Sequence, residues 1–216
     1  MVESLEGMSR RFYYVFKRAL DATVAAIGLA ILSPTMLAMS IAIKLDSAGP
    51  VFYRGVRVGR YGKPFTMLKF RTMVVDADRV GVASTPEDDP RITRVGRWLR
   101  RYKLDELPQL INVLKGEMSL VGPRPQVPWA VELYDEQERE VLAVFPGMTD
   151  YASLRFQNEG EILRGSSDPD RDYFERIHPH KMRLSLKYVR EASLWTDLRI
   201  LAATIGTLGP RRRSSG

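Results

Sequence analysis

The chain has 216 residues, with 33 Lys plus Arg against 26 Asp plus Glu, a formal net charge of +7 and no cysteine. These counts exclude a disulfide framework and a thiolate metal site, and the Leu, Val, Ile and aromatic content excludes a disordered chain. With one long apolar stretch the chain is no polytopic transporter; it reads as one soluble domain, large enough for a core, joined to one membrane-active element.

The mean hydropathy of −0.21 averages two unlike parts. Residues 22–43 hold no charge, and every Lys, Arg, Asp and Glu lies outside them. As a straight helix they would be about 33 Å long, enough for a hydrocarbon core of about 30 Å. Ser33 and Pro34 sit at the middle. A proline there removes a backbone donor and kinks the helix, and the Ser33 hydroxyl is placed to cap a freed backbone group. Arg10, Arg11, Lys17 and Arg18 precede the stretch; Lys44, Arg54, Arg57, Arg60 and Lys63 follow it. Positive charge favours the cytoplasmic side. Two readings follow from these residues: a re-entrant helix that bends at Ser33-Pro34 and returns, or a tilted single span with a harmless kink. A cleaved signal peptide fits less well, because the stretch is too long and a basic, folded-looking segment follows at once. Residues 9–19 are basic and aromatic, as an interfacial lead-in would be. The absence of cysteine fits a reducing compartment.

Residues 50–73 read as a β-hairpin with its turn at RYGKP, and Lys69 and Arg71 then share a face of the return strand. Residues 74–90 are small and acidic, an exposed loop or short helix. Residues 91–103 hold six basic residues and no acid. Val95, Trp98, Leu99 and Tyr102 recur there at helical spacing, which predicts an amphipathic basic helix. Leu107, Leu110, Ile111 and Leu114 mark a second helix, with Pro108 in its first turn. Asp105 and Glu106 therefore fall at or just before a helix N-terminus, where the dipole favours negative charge. A proline-bracketed loop then holds Arg124. Residues 129–144 read as a Glu-rich helix, Pro146-Gly147 as a turn, and residues 184–208 as one or two closing helices. The basic run at 211–213 is either a contact for anionic headgroups or a solvated tail.

Two adjacent carboxylates at a helix start suit Mg²⁺, which takes oxygen ligands and keeps waters and substrate phosphates. An ionised Asp105 can also act as a nucleophile toward phosphorus, and the neighbouring cations would hold it ionised. The same pair is equally the common pattern of an N-cap aspartate with a first-turn glutamate. Lys69, Arg71, Arg124 and Arg155 are candidate phosphate ligands, Arg124 the most suggestive because two prolines fix its backbone. Each alone also reads as a surface or ion-pairing residue. His178 and His180 have no local third ligand and make a weak metal site. No phosphate-binding glycine motif and no Ser-His-Asp set is readable.

Taken together, the segments resemble the bacterial sugar transferases, the monotopic phosphoglycosyl transferases. The resemblance begins at Lys17-Arg18-x-x-Asp21 and Ser33-Pro34 and runs through GPVFYRGVRVGRYGKPF and LKFRTM. It is strongest in residues 91–125 and continues through PGMTDYASLRFQNE to SLWTDLRIL, covering about residues 12–205. It implies an α+β fold, mostly helical. Residues 1–46 would form the lead-in and re-entrant membrane helix, 47–210 one cytoplasmic catalytic domain with amphipathic interfacial helices and a small β-hairpin, and 211–216 a basic tail. Longer family members add transmembrane helices, so this chain looks like a minimal form.

The resemblance also implies a reaction: transfer of a sugar 1-phosphate from a nucleoside diphosphate sugar, usually a UDP-sugar, to a polyprenyl phosphate, with Mg²⁺ as cofactor. Asp105 would be the nucleophile and carry a covalent phosphosugar. Glu106 would help hold Mg²⁺; Lys69 and Arg124 would lie near the phosphates, and Arg155 would be a further anion or substrate contact. Ser33 and Pro34 would form the bend. The place of action would be the cytoplasmic face of the bacterial inner membrane, with membrane lipid as a partner, no nucleic acid, and self-association allowed. Asp150 departs from the commonest pattern, which has Gly after PGMT, and leaves the sugar open. The competing reading, a membrane-anchored basic binding module, rests on the pI of about 9.7 and the 91–103 run.

Overall fold

The computed structural model describes residues 2–77 and 85–207, with side chains from Phe12 onward. Part of the expected 74–90 loop and the basic run at 211–213 lie outside the described residues. The architecture is α+β and mostly helical.

Helix α1, Val2–Asp46, contains the whole uncharged stretch. Its inner stripe, Lys17, Asp21, Ala25, Met39 and Ile43, is buried, with Leu29, Leu32 and Met36 packed alongside. Steps of three and four residues put these on one face. The opposite face leaves Phe12, Ile31 and Leu45 70%, 70% and 83% exposed. The expected break at Ser33-Pro34 is not an interruption: the helix runs through Pro34. The Ser33 hydroxyl donates to the Ala30 carbonyl at 2.9 Å, the acceptor that Pro34 cannot serve because it has no N–H.

Strands β1, Phe52–Val58, and β2, Pro64–Phe70, form the expected antiparallel hairpin, with Tyr53 opposite Lys69. Its turn uses positive φ at Tyr61 and Gly62. Arg71 falls just outside β2, so it does not share that strand's face with Lys69. Helix α2, Arg94–Arg101, is capped by Thr93, whose hydroxyl accepts from the Gly96 amide. The predicted stripe on it divides. Leu99 is fully buried, whereas Trp98 and Tyr102 face outward and pack on each other 5.4 Å apart.

Helix α3, Gln109–Lys115, follows a short 3-10 turn, Leu104–Glu106. The expected stripe through Leu114 is displaced: Leu114 is exposed, and Gln109, Leu110, Asn112 and Val113 are buried. The helix starts only at Gln109 and is covered on two sides, by α1 and by β2. Asn112 serves β2 directly, accepting from the Leu68 amide at 3.0 Å and donating to the Thr66 carbonyl at 2.8 Å.

Strand β3, Ser119–Val121, pairs in parallel with β4, Gly147–Thr149. Between them the predicted helix over 129–144 is two pieces, α4, Pro128–Glu132, and a 3-10 segment, Glu138–Ala143. Asp135 accepts from the Glu138 amide and starts the second piece anew, which is why one helix does not run through. Short helices α5, Tyr151–Arg155, α6, Glu159–Ile162, and α7, Pro169–Asp172, lead to α8, His178–Glu191, and α9, Leu194–Thr207. The main core gathers Ala25, Met67, Val113, Val121, Tyr188 and Ile200, side chains from α1, β2, α3, β3, α8 and α9.

Candidate active site

Three chain segments deliver charge to one point. Lys69 comes from the end of β2, Glu106 from the 3-10 turn, and Arg124 from the loop after β3. Arg124 grips both Glu106 oxygens: Nη1 donates to Oε2 at 3.0 Å and Nη2 donates to Oε1. Lys69 Nζ donates to Oε1 at 3.2 Å. The planar guanidinium matches the carboxylate fork, so this pair fixes orientation as well as charge.

The loop carrying Arg124 is positioned by backbone. The Gly122 amide donates to the Thr149 carbonyl and the Gly147 amide to the Pro123 carbonyl, each at 2.9 Å. A Cβ on Gly147 would stand 2.1 Å from the Gly122 nitrogen. Only glycine allows the two strands this close. The 3-10 turn is set up by Lys103, a non-glycine residue in the left-handed region at φ 58°. That conformation is costly and tends to occur at functional sites.

The two carboxylates have opposite surroundings. Burial pushes Glu106 up, but Arg124, Lys69 and Lys103 outweigh it and hold it well below the usual range. Asp105 is pushed up, first by burial and then by the Glu106 charge, against Lys69, Arg100 and Lys103. Sequence reasoning expected the cations to keep Asp105 low; burial beside an ionised Glu106 was not readable. Burial also lowers Lys69, with Glu106 opposing. Four cations, Lys69, Arg100, Lys103 and Arg124, thus act on two carboxylates, and the excess of positive charge suits a diphosphate. Among the described residues no side-chain hydrogen bond engages the Asp105 carboxylate, which is free to meet a ligand.

The other candidates lie elsewhere. The Arg71 guanidinium donates to the Ser47 and Ala48 carbonyls, both at 2.7 Å, and to the Ser47 hydroxyl. It ties the end of α1 to the hairpin, and its contacts do not include Glu106 or Arg124. Arg155 is exposed at the end of α5, with no hydrogen bond or ion pair to the cluster. No group of three or more His, Cys, Asp or Glu that would hold a metal occurs among the described residues. His178 and His180 do not converge on one: His180 Nδ1 faces the Arg183 guanidinium at 2.8 Å.

Sequence reasoning passed over a second buried network. Asp197 Oδ2 receives Lys17 Nζ at 2.7 Å and the Tyr13 hydroxyl at 3.1 Å, and its Oδ1 receives Tyr188 at 2.7 Å. Asp21 accepts from the Leu120 amide at 3.1 Å. Helix α1 is thereby pinned to β3, the strand that leads into Arg124. The available signal was an acid standing alone in the apolar pattern of 194–207.

The chain also has recognisable relatives among known proteins. The family model for bacterial sugar transferases matches residues 12–210. The undecaprenyl-phosphate glucose phosphotransferase of Komagataeibacter xylinus is 41% identical over 196 residues, covering 88% of this chain and 35% of that protein. The UDP-glucose:undecaprenyl-phosphate glucose-1-phosphate transferase of Caulobacter vibrioides is 40% identical over 195 residues, 89% of this chain and 69% of the relative. A putative undecaprenyl-phosphate N-acetylgalactosaminyl 1-phosphate transferase of Bacillus subtilis is 42% identical over 154 residues, 69% of this chain and 82% of the relative. The chain spans about a third of the length of the first of these relatives.

Proposed function

The chain belongs to the bacterial sugar transferase family, and on that footing we propose that it moves a sugar 1-phosphate from a UDP-sugar to a polyprenyl phosphate. The relatives' names support the reaction class. The observation that carries the reading is the unengaged Asp105 carboxylate beside the Glu106–Arg124–Lys69 cluster. In the first step an Asp105 oxygen attacks the β-phosphorus, the bond to the bridging oxygen breaks, and UMP leaves with that electron pair. In the second, an oxygen of polyprenyl phosphate attacks the same phosphorus and the Asp105 carboxylate is released. Two displacements let a soluble donor and a lipid acceptor use one site in turn. Lys69 and Arg124 offset charge on the transferring phosphoryl group.

Mg²⁺ fits this donor set. Glu106 Oε1 is taken by Lys69 and Arg124, while Oε2 accepts from Arg124 alone and keeps a lone pair. That lone pair and the Asp105 oxygens would supply the one or two carboxylates with which Mg²⁺ is usually bound alongside substrate phosphates and water. Bound there, the ion would neutralise diphosphate charge.

The membrane arrangement is part of the proposal. Helix α1 is long and apolar enough to cross a bilayer. Both of its ends are nevertheless bonded to the same globular body: Lys17 and Asp21 at one end, and Asp46, which accepts from the Val95 amide at 3.0 Å, at the other. A helix spanning the bilayer would put one of these polar sets on the far side. This supports a helix that enters one leaflet and returns; the Lys and Arg on both flanks favour the cytoplasmic face for the domain. The outward Trp98 and Tyr102 on α2, set among arginines, suit the headgroup layer. The test of the reaction is UMP release from a panel of UDP-sugars with Mg²⁺ and polyprenyl phosphate. Release that depends on the lipid acceptor over many turnovers is expected; none with any donor would refute the reading.

A further inference from the structure

Gln109, the first residue of α3, is 0% exposed, and among the described residues neither its amide nitrogen nor its amide oxygen has a hydrogen-bond partner. Leaving both ends of a buried amide unmet is costly, and such a group in a folded protein calls for a cause. Asn112, one turn on and equally buried, shows the ordinary state. It accepts from the Leu68 amide and donates to the Thr66 carbonyl and to Glu117, the last at 2.6 Å. We propose that Gln109 is a positioning residue, the reserve hydrogen-bond donor to Glu106, which takes over when the diphosphate of the UDP-sugar draws Lys69 away. The inference rests on the reaction proposed above and deepens it.

The backbone places Gln109 for this role. Leu107 (φ −53°, ψ −36°) and Pro108 (φ −61°, ψ −17°) are both helical, so the 3-10 turn runs into α3 without a break in direction. The Leu107, Leu110 and Ile111 amides each bond back three residues, to Leu104, Leu107 and Pro108. With bonds of that kind, positions three apart stack on one face. Glu106, Gln109 and Asn112 form such a row. Its outer members both meet β2: Glu106 takes Lys69 Nζ, and Asn112 takes the amide of Leu68, the residue before it. Gln109 lies between them. Neighbours at this spacing have Cβ atoms about 5–6 Å apart, a gap that two long side chains can close. Full burial keeps substrate away from Gln109, so its partner has to come from the protein.

The exchange follows from Lys69 having two roles. In this structure Lys69 donates to Glu106 Oε1 at 3.2 Å; in the proposed reaction it faces a phosphoryl oxygen. An ammonium on a flexible four-carbon stem can make that turn. Oε1 then keeps Arg124 alone, and a buried carboxylate has lost a donor. The Gln109 amide restores the donor without adding charge, so the positive charge of Lys69 is left to the phosphate. Until then the charged donor holds the position, because its bond to a carboxylate is the stronger one.

The test is a double-substitution cycle on the full chain, read first as melting temperature without ligand: wild type, Gln109→Met, Lys69→Met, and both together. Methionine fills similar space and donates nothing. In the wild-type background Gln109→Met removes an unmet amide and should leave the melting temperature unchanged or raise it. In Lys69→Met the Oε1 position is open and Gln109 already serves it, so adding Gln109→Met should lower the melting temperature by about 3 °C or more. The same change in both backgrounds would overturn the proposal. Should Lys69→Met fail to fold, UDP decides: saturating UDP should raise the melting temperature of Gln109→Met by no more than half its effect on wild type, and equal shifts would overturn the proposal. In the UMP-release assay Gln109→Met should turn over at least tenfold more slowly while melting no lower than wild type, which a merely structural amide would not give; turnover within twofold would also overturn the proposal. A cycle as expected, in a wild type that releases no UMP from any UDP-sugar, would refute the reaction and leave the tie between Gln109 and Glu106 standing.

Discussion

The Ser33 hydroxyl donates to the Ala30 carbonyl at 2.9 Å, taking the place of the amide that Pro34 lacks. The pair allows a helix to carry a proline inside an apolar layer without leaving an acceptor unmet. A cysteine near residue 10 and another near residue 60 should both resist a membrane-impermeant label on intact cells. Pro34→Ala restores the amide, and on the re-entrant reading should shift part of the population to a spanning form with one flank labelled. Labelling of one flank in the otherwise wild-type chain would contradict re-entry.

The Lys17–Asp197 pair, 2.7 Å apart with side chains 7% and 4% exposed, anchors α1 to α9. Removing one partner strands a buried charge, which typically costs about 3–5 kcal/mol. Lys17→Met should lower the melting temperature clearly. Asp197→Asn should cost less, since the amide oxygen still accepts from Tyr188 or Tyr13. Equal melting of both variants and wild type would show that the pair contributes little.

The close approach of Gly147 to Gly122 sets where Arg124 reaches Glu106. Gly147→Ala puts a methyl into the Gly122 backbone and should reduce turnover more than tenfold, through displacement of Arg124. Arg124→Lys should reduce it further, because an ammonium cannot make the bidentate contact. Turnover within twofold of wild type for Gly147→Ala would show that the loop adapts.

Asp150 is pushed up from its usual 3.8, first by burial, against hydrogen bonds from Ser153 and Ser185. A carboxyl with a raised folded pKa stabilises the fold fully below 3.8, and that contribution is lost as pH rises through the raised value. Asp150→Asn keeps the helix cap and carries no charge. It should raise the melting temperature at neutral pH and flatten the fall of stability above pH 3.8, by about 1.4 kcal/mol per pKa unit. Melting curves across pH check this; an unchanged pH slope would contradict it.

The hairpin and the basic helix were legible because local pattern decides them, through alternation and helical spacing; the carboxylates do fall just before α3, but in a 3-10 turn of their own, and Pro108 is the N-cap of α3 and not in its first turn. Lys69, Glu106 and Arg124 were each named from sequence, but nothing local says that β2, a 3-10 turn and a loop converge. Arg71 looked equivalent to Lys69 because alternation was extended one residue past the strand's end at Phe70. The stripe on α3 was misplaced for a tertiary reason: α1 and β2 cover two faces, and Asn112 is buried to serve β2. The helix predicted over 129–144 ignored the cap that Asp135 offers Glu138. The Lys17–Asp197 pair spans 180 residues; the lone acid at 197 marks one end of it, but nothing local names the partner.

The central claim is that Asp105 carries the phosphosugar between two displacements. Intact-protein and peptide mass spectrometry after incubation with a UDP-sugar and Mg²⁺, without polyprenyl phosphate, tests it directly. The prediction is a mass gain of one phosphosugar on the peptide containing Asp105, with up to one equivalent of UMP released, discharged by polyprenyl phosphate and absent in Asp105→Asn. UMP release that requires both substrates together with no adduct at any time, or full activity in Asp105→Asn, would contradict it.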